Sequence, residues 1–179
     1  MGVYEPREDS FLLEREVKKL ARGKKVLDVG SGSGIQALAA RGADAKEVVA
    51  SDIEPESLKE LRRKKLKVVK SDLFSSLKGK FDLIIFNPPY LPRDEREDSN
   101  SSRATTGGAK GDEIILKFLR GARKHLEKDG AILIVVSSLT PSDRINELLR
   151  VLKMQREIIA RQKIFMEELQ VWEILSHHI

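Results

Sequence analysis

The stretch VLDVGSGSG, residues 26–34, carries an apolar run straight into Gly30, Gly32 and Gly34. A short Val/Leu run of this kind reads as a strand buried on both faces. Glycines at its end allow a sharp turn into the helical pattern GIQALAARG (34–42). They also let a ligand lie against bare backbone, at Gly30 and Gly32, while the helix N-terminus offers N–H groups to an anionic end of that ligand. A strand, a glycine turn and a helix in that order make a βα unit.

Similar units recur outward from this one. KKVLDV (24–29), EVVASD (47–52), KVVKSD (67–72), FDLIIFN (81–87) and AILIVVS (131–137) read as strands, with the continuous Val/Ile/Leu content of a parallel sheet. PESLKELRRKK (55–65), DEIILKFLRGARKHL (112–126) and a segment near 142–153 have helical spacing. Pro55 suits a first helical position, and Asp112 suits a cap. REIIARQ (156–162) and ELQVWEIL (168–175) form a terminal antiparallel hairpin, with Trp172 in its core. The expected fold is α/β: a doubly wound, mostly parallel, seven-stranded Rossmann-like sheet ending in that hairpin. The span from Asp72 to Phe81 is too short for a full crossover helix, so one helix of the usual set is missing or vestigial. DSFLLEREVKKLA (9–21) adds an amphipathic helix that no strand precedes. Residues 1–179 are expected to form one domain, with 1–22 covering the ligand and 23–179 carrying the sheet.

The chain has no cysteine, which removes disulfides and thiolate metal sites. His125, His177 and His178 lack metal-ligand spacing and read as solvated, so no metal is expected. No segment is long and apolar enough to span a bilayer, and no leader precedes residue 10, so a cytoplasmic protein is expected. A net charge of +5 from 33 basic and 28 acidic residues permits a nucleic-acid partner without requiring one.

Two acids sharpen the glycine turn. Asp52 ends the second strand, where a carboxylate accepts ribose hydroxyls. Asp72 ends the third, where an acceptor meets an exocyclic amine such as that of adenine. Asp28, two residues before Gly30, organises the turn or balances a ligand ammonium. A ribose, an adenine and a small charged tail describe S-adenosylmethionine and NAD equally, and Gly32-x-Gly34-x-x-Ala37 satisfies the dinucleotide fingerprint.

FDLIIFNPPY (81–90) separates them. Asn87 falls at the carboxyl end of the fourth strand, beside the point where doubly wound sheets bind ligands. Its side-chain carbonyl accepts one N–H of a planar NH2 group and the Pro88 carbonyl accepts the other. Pro88 and Pro89 stiffen the corner and present no donors, and Tyr90 offers a face for stacking. Such a corner holds an amide or base NH2 still for attack on a methyl group, without a strong base.

Asn87-Pro88-Pro89-Tyr90, VLDVGSGSG, Asp52 and SDLF (71–74) together resemble the class I S-adenosylmethionine-dependent amino methyltransferases. YEPREDSFLL (4–13) narrows the resemblance to the short archaeal and eukaryotic branch of the HemK-type enzymes, with Ser10 where threonine is more usual. The resemblance implies cofactor contacts at Ser10, Asp28, Gly30, Asp52, Asp72, Leu73 and Asn87, and substrate contacts from Asn87 to Tyr90. It implies N5-methylation of the glutamine in the Gly-Gly-Gln loop of a class I translation release factor. It also implies a small zinc-binding activator subunit, for which an edge strand such as KVVK (67–70) is available. The helical N-terminal domain of bacterial members is not expected here. Lysine methylation in other proteins is one alternative. Another is methylation of an exocyclic amine in nucleic acid, although no concentrated basic stripe favours it. The loop RDEREDSNSSRATTGGAKGD (93–112) reads as a lid or as a solvated loop.

Overall fold

The computed structural model describes residues 5–88 and 111–176. Alternation along the strands builds two apolar faces. In β1 (Lys25–Val29), Leu27 and Val29 join one core and Val26 the other. In β4 (Phe81–Phe86), Ile84 and Phe86 oppose Leu83 and Ile85. In β5 (Leu126–Ser137), Ile132, Ile134 and Val136 oppose Leu133 and Val135. A sheet with two such faces needs helices on both. On one side α4 (Glu113–His125) and α5 (Asp143–Val151) supply Ile115, Phe118, Leu119, Ile145 and Leu149. On the other, α1 (Glu8–Leu20) and α2 (Ile35–Gly42) supply Leu12, Leu13, Val17, Ala39 and Ala40. α3 (Pro55–Arg63), with Pro55 in its first turn, packs Leu61 against Ala37 and Ala50.

With β2 (Glu47–Asp52), β3 (Lys67–Lys70), β6 (Met154–Ile164) and β7 (Glu167–Ser176), the sheet has seven strands in the order β3-β2-β1-β4-β5-β7-β6. The first five are parallel, and the β6–β7 hairpin is antiparallel as expected. β7 slots between β5 and β6. Its buried Leu169, Val171, Trp172 and Ile174 take the interior place, and the charged β6 is left at the edge.

Some boundaries differ from expectation. β3 stops at Lys70, so Ser71 and Asp72 belong to the following turn. β5 starts at Leu126, where a register shift pairs it with Phe81 before the regular ladder begins. Residues 71–80 carry turns and no helix. Phe74 from that span fills the vacant place, against Phe118 with ring centroids 5.5 Å apart and against His125 at 5.2 Å. His125 is half-buried and stacks on Phe74 with one side still open, and its Nδ1 lies 2.8 Å from the Gly79 carbonyl. Asp112 precedes α4 but makes no side-chain cap; its fully buried carboxylate pairs with Arg144 at 3.0 Å. No helix among the described residues is long and apolar enough to cross a membrane.

Candidate active site

Strand register assembles the site. Val29 pairs with Ser51 on one side and Phe86 on the other. The next residue of each strand is Gly30, Asp52 or Asn87, so these three leave the carboxyl edge in one row, about 5 Å apart. The order of strands reverses between β1 and β4, the position at which α/β sheets open a crevice. A cleft of about 600 Å3 lies there, within the usual span of small-molecule sites. Its wall includes all eight residues expected at a cofactor: Ser10, Asp28, Gly30, Gly32, Asp52, Asp72, Leu73 and Asn87. Pro88 also borders it. Tyr4, Pro89, Tyr90 and most of the 93–112 loop lie outside the described residues.

The glycine turn is tightly specified. Gly30 has φ 63°, in the left-handed region. At Gly34 (φ 81°) a Cβ would stand 2.7 Å from Leu61 Cδ2, so the turn lies directly on α3. Asp52 braces it: Oδ2 accepts the Gly32 N–H at 2.8 Å and Oδ1 accepts the Glu54 N–H at 2.9 Å. A carboxylate has lone pairs beyond these two, so hydroxyl donors can still be accepted. Asp28 takes the first of its two expected roles. Its Oδ2 accepts the Ala37 N–H at 3.1 Å, which satisfies the first turn of α2. Burial pushes its pKa up to about 7; hydrogen bonds from Ser31 and Ala37 oppose the rise, and nearby Asp52 adds to it. Asp72 is half-exposed and pairs with Lys117 at 3.0 Å. Leu73 holds φ 48°, unusual for a branched side chain, and its carbonyl accepts from Ser71 Oγ at 2.9 Å.

Asn87 is fixed from α1. Its Nδ2 donates to Asp9 Oδ2 at 3.0 Å and lies 3.4 Å from Ser10 Oγ. Its Oδ1 is buried and accepts no hydrogen bond among the described residues. A buried acceptor left unmatched costs about 1–3 kcal/mol, so a ligand N–H placed there would be favoured. Sequence reading did not single out Asp9 or Gln36. An acid in the first turn of a helix reads as a complement to the helix dipole, and Gln36 reads as one polar residue in an apolar helix. In the fold Gln36 Nε2 donates to the Ser10 carbonyl at 2.8 Å, binding α2 to α1 across the cleft. Among the described residues no three His, Cys, Asp or Glu side chains converge as a metal site.

The unmatched polar atoms and carboxylates of the cleft are acceptors, and the ammonium, ribose hydroxyls and adenine amine of S-adenosylmethionine are donors, so the residues fit that cofactor. The sheet order and cleft agree with those of the class I methyltransferases, enzymes that draw their methyl group from S-adenosylmethionine. The chain belongs to the methyltransferase small domain family, whose sequence model matches residues 8–166, and within it to the HemK-type enzymes. A protein of Methanocaldococcus jannaschii named "Putative protein N5-glutamine methyltransferase" is 40% identical over 177 residues, 94% of this chain and 89% of its own. Methyltransferase HEMK2 of Mus musculus is 35% identical over 74% of this chain and 71% of its own. Among solved structures, the E. cuniculi Mtq2–Trm112 complex, responsible for methylation of the eRF1 translation termination factor, superposes with a TM-score of 0.76. It is 25% identical and covers 98% of this chain and 99% of the matched one.

Proposed function

We propose that this chain methylates the side-chain nitrogen of the glutamine in the Gly-Gly-Gln loop of a class I translation release factor. The observation that carries the reading is Asn87, held by its NH2 group in a cofactor-sized cleft with its carbonyl oxygen unmatched. When bound, S-adenosylmethionine would supply an electrophilic methyl carbon, with the thioether as its leaving group. A glutamine amide is a weak nucleophile because its lone pair is delocalised. Asn87 Oδ1 and the Pro88 carbonyl accept its two hydrogens and turn the lone pair towards the methyl. Pro89 and Tyr90, which the resemblance adds as substrate contacts, lie outside the described residues. Water takes the released proton, so positioning supplies most of the rate enhancement.

The remaining residues of the row hold the cofactor. Asp52 would accept the ribose hydroxyls, Asp72 and Leu73 would meet the adenine, and Ser10, Asp28, Gly30 and Gly32 would hold the methionyl end. The exposed Asp72–Lys117 pair is of a kind that contributes little, so Asp72 would remain available to an adenine amine. The names of the archaeal relative and of the Mtq2–Trm112 complex support the amide substrate. That complex also supports a small activator subunit, which we assign to the β3 edge by strand addition and expect to bind zinc. The cytoplasm, where release factors work, is the proposed location.

Asn87→Ala should reduce transfer by about 100-fold or more. Calorimetry with S-adenosylhomocysteine should show binding within about 3-fold of the parent, since most cofactor contacts remain. Undiminished transfer would overturn the mechanism.

A further inference from the structure

Asn87 serves an incoming N–H only if its oxygen, and not its NH2, faces that donor. The two orientations of an asparagine amide differ by a half-turn and fill nearly the same space, so the partner of the NH2 decides between them. That partner is Asp9, only 5% exposed, whose Oδ2 stands 3.0 Å from Asn87 Nδ2. A carboxylate has no hydrogen to give. It accepts from the NH2 orientation and repels the carbonyl one. Ser10 Oγ, a hydroxyl that both donates and accepts, cannot impose a choice. Asp9 is itself held, since its Oδ1 accepts the Ser10 N–H at 2.7 Å and lies 3.3 Å from Ser10 Oγ. With Gln36 on the Ser10 carbonyl, one hydrogen-bonded chain runs from α2 through α1 to the end of β4.

We infer that Asp9 is a positioning residue for methyl transfer: through Asn87 Nδ2 it keeps Asn87 Oδ1 available to the nitrogen that receives the methyl group. The inference rests on the reading of Asn87 given above.

The test combines amide exchange, kinetics and a swapped pair. The Asn87 side-chain NH2 resonance, identified by its absence in Asn87→Asp, should exchange with water at least about 10-fold faster in Asp9→Ala than in the parent. Asp9→Ala should lower kcat on release factor by about 100-fold, with KM and S-adenosylhomocysteine affinity within about 3-fold. Asn87→Asp alone sets carboxylate against carboxylate. Adding Asp9→Asn restores the pair in reverse and should recover at least about 10-fold of activity over Asn87→Asp. Three results would each overturn the inference: unchanged amide exchange in Asp9→Ala, no recovery in the swap, or a fall in cofactor affinity equal to the fall in kcat. With Asn87→Ala inactive, such a result would sink the role of Asp9 alone. Transfer surviving in Asn87→Ala would sink the reading of Asn87 and this role with it.

Discussion

Asp28 shows how much one buried group decides. Its pKa in the folded chain, about 7, lies above the ordinary aspartate value of 3.8. Its contribution to stability is complete below the lower value and is lost as pH rises through the upper one. Between pH 5 and 8 the ligand-free protein should lose about 2 kcal/mol, lowering Tm by about 5 °C. Asp28→Asn should flatten that slope, as differential scanning calorimetry would read directly. A parent Tm that climbs over this interval would contradict the burial argument. Asp52 and Asn87 drew attention in the sequence because each ends an expected strand, and Asp28 because it stands two residues before Gly30. Asp9 did not, because its partner lies far along the chain, just past β4, and only the fold joins them.

At the scale of elements, the 71–80 span is the most individual feature. Sequence length alone showed that no full crossover helix fits there. It could not show what fills the space, because that depends on α4 packing back over the sheet. Phe74 occupies it, and Gly121 makes room: a Cβ at that position would run into the Phe74 ring. In an ordinary exposed helix, Gly→Ala stabilises by about 1 kcal/mol. Here Gly121→Ala should instead destabilise by about 1–3 kcal/mol, because an added methyl in a packed core forces neighbours to shift. Urea unfolding of Gly121→Ala, Phe74→Ala and the double variant checks this, with the double expected to be less unstable than the sum. Stabilisation by Gly121→Ala would mean that Phe74 does not pack there. The hairpin partners were read correctly from the two final apolar runs of the chain. The insertion of β7 between β5 and β6 was not, since both strands carry apolar residues and only burial against β5 ranks them.

At the scale of the whole molecule, the βα alternation carried the doubly wound sheet, and the sheet carried the cleft. Three consecutive strand ends set Asp52, Gly30 and Asn87 in a row, so much of the site follows from topology. α1 is the exception: it has no strand of its own, and only its packing on α2 and β5 brings Asp9 and Ser10 over the cleft. The central claim is that this assembly methylates a protein amide. It is tested most directly by offering labelled S-adenosylmethionine together with release factor, ribosomal RNA and DNA in one reaction. The prediction is label in the release factor alone, lost when the glutamine of its Gly-Gly-Gln loop is replaced. Label confined to RNA or DNA would contradict it.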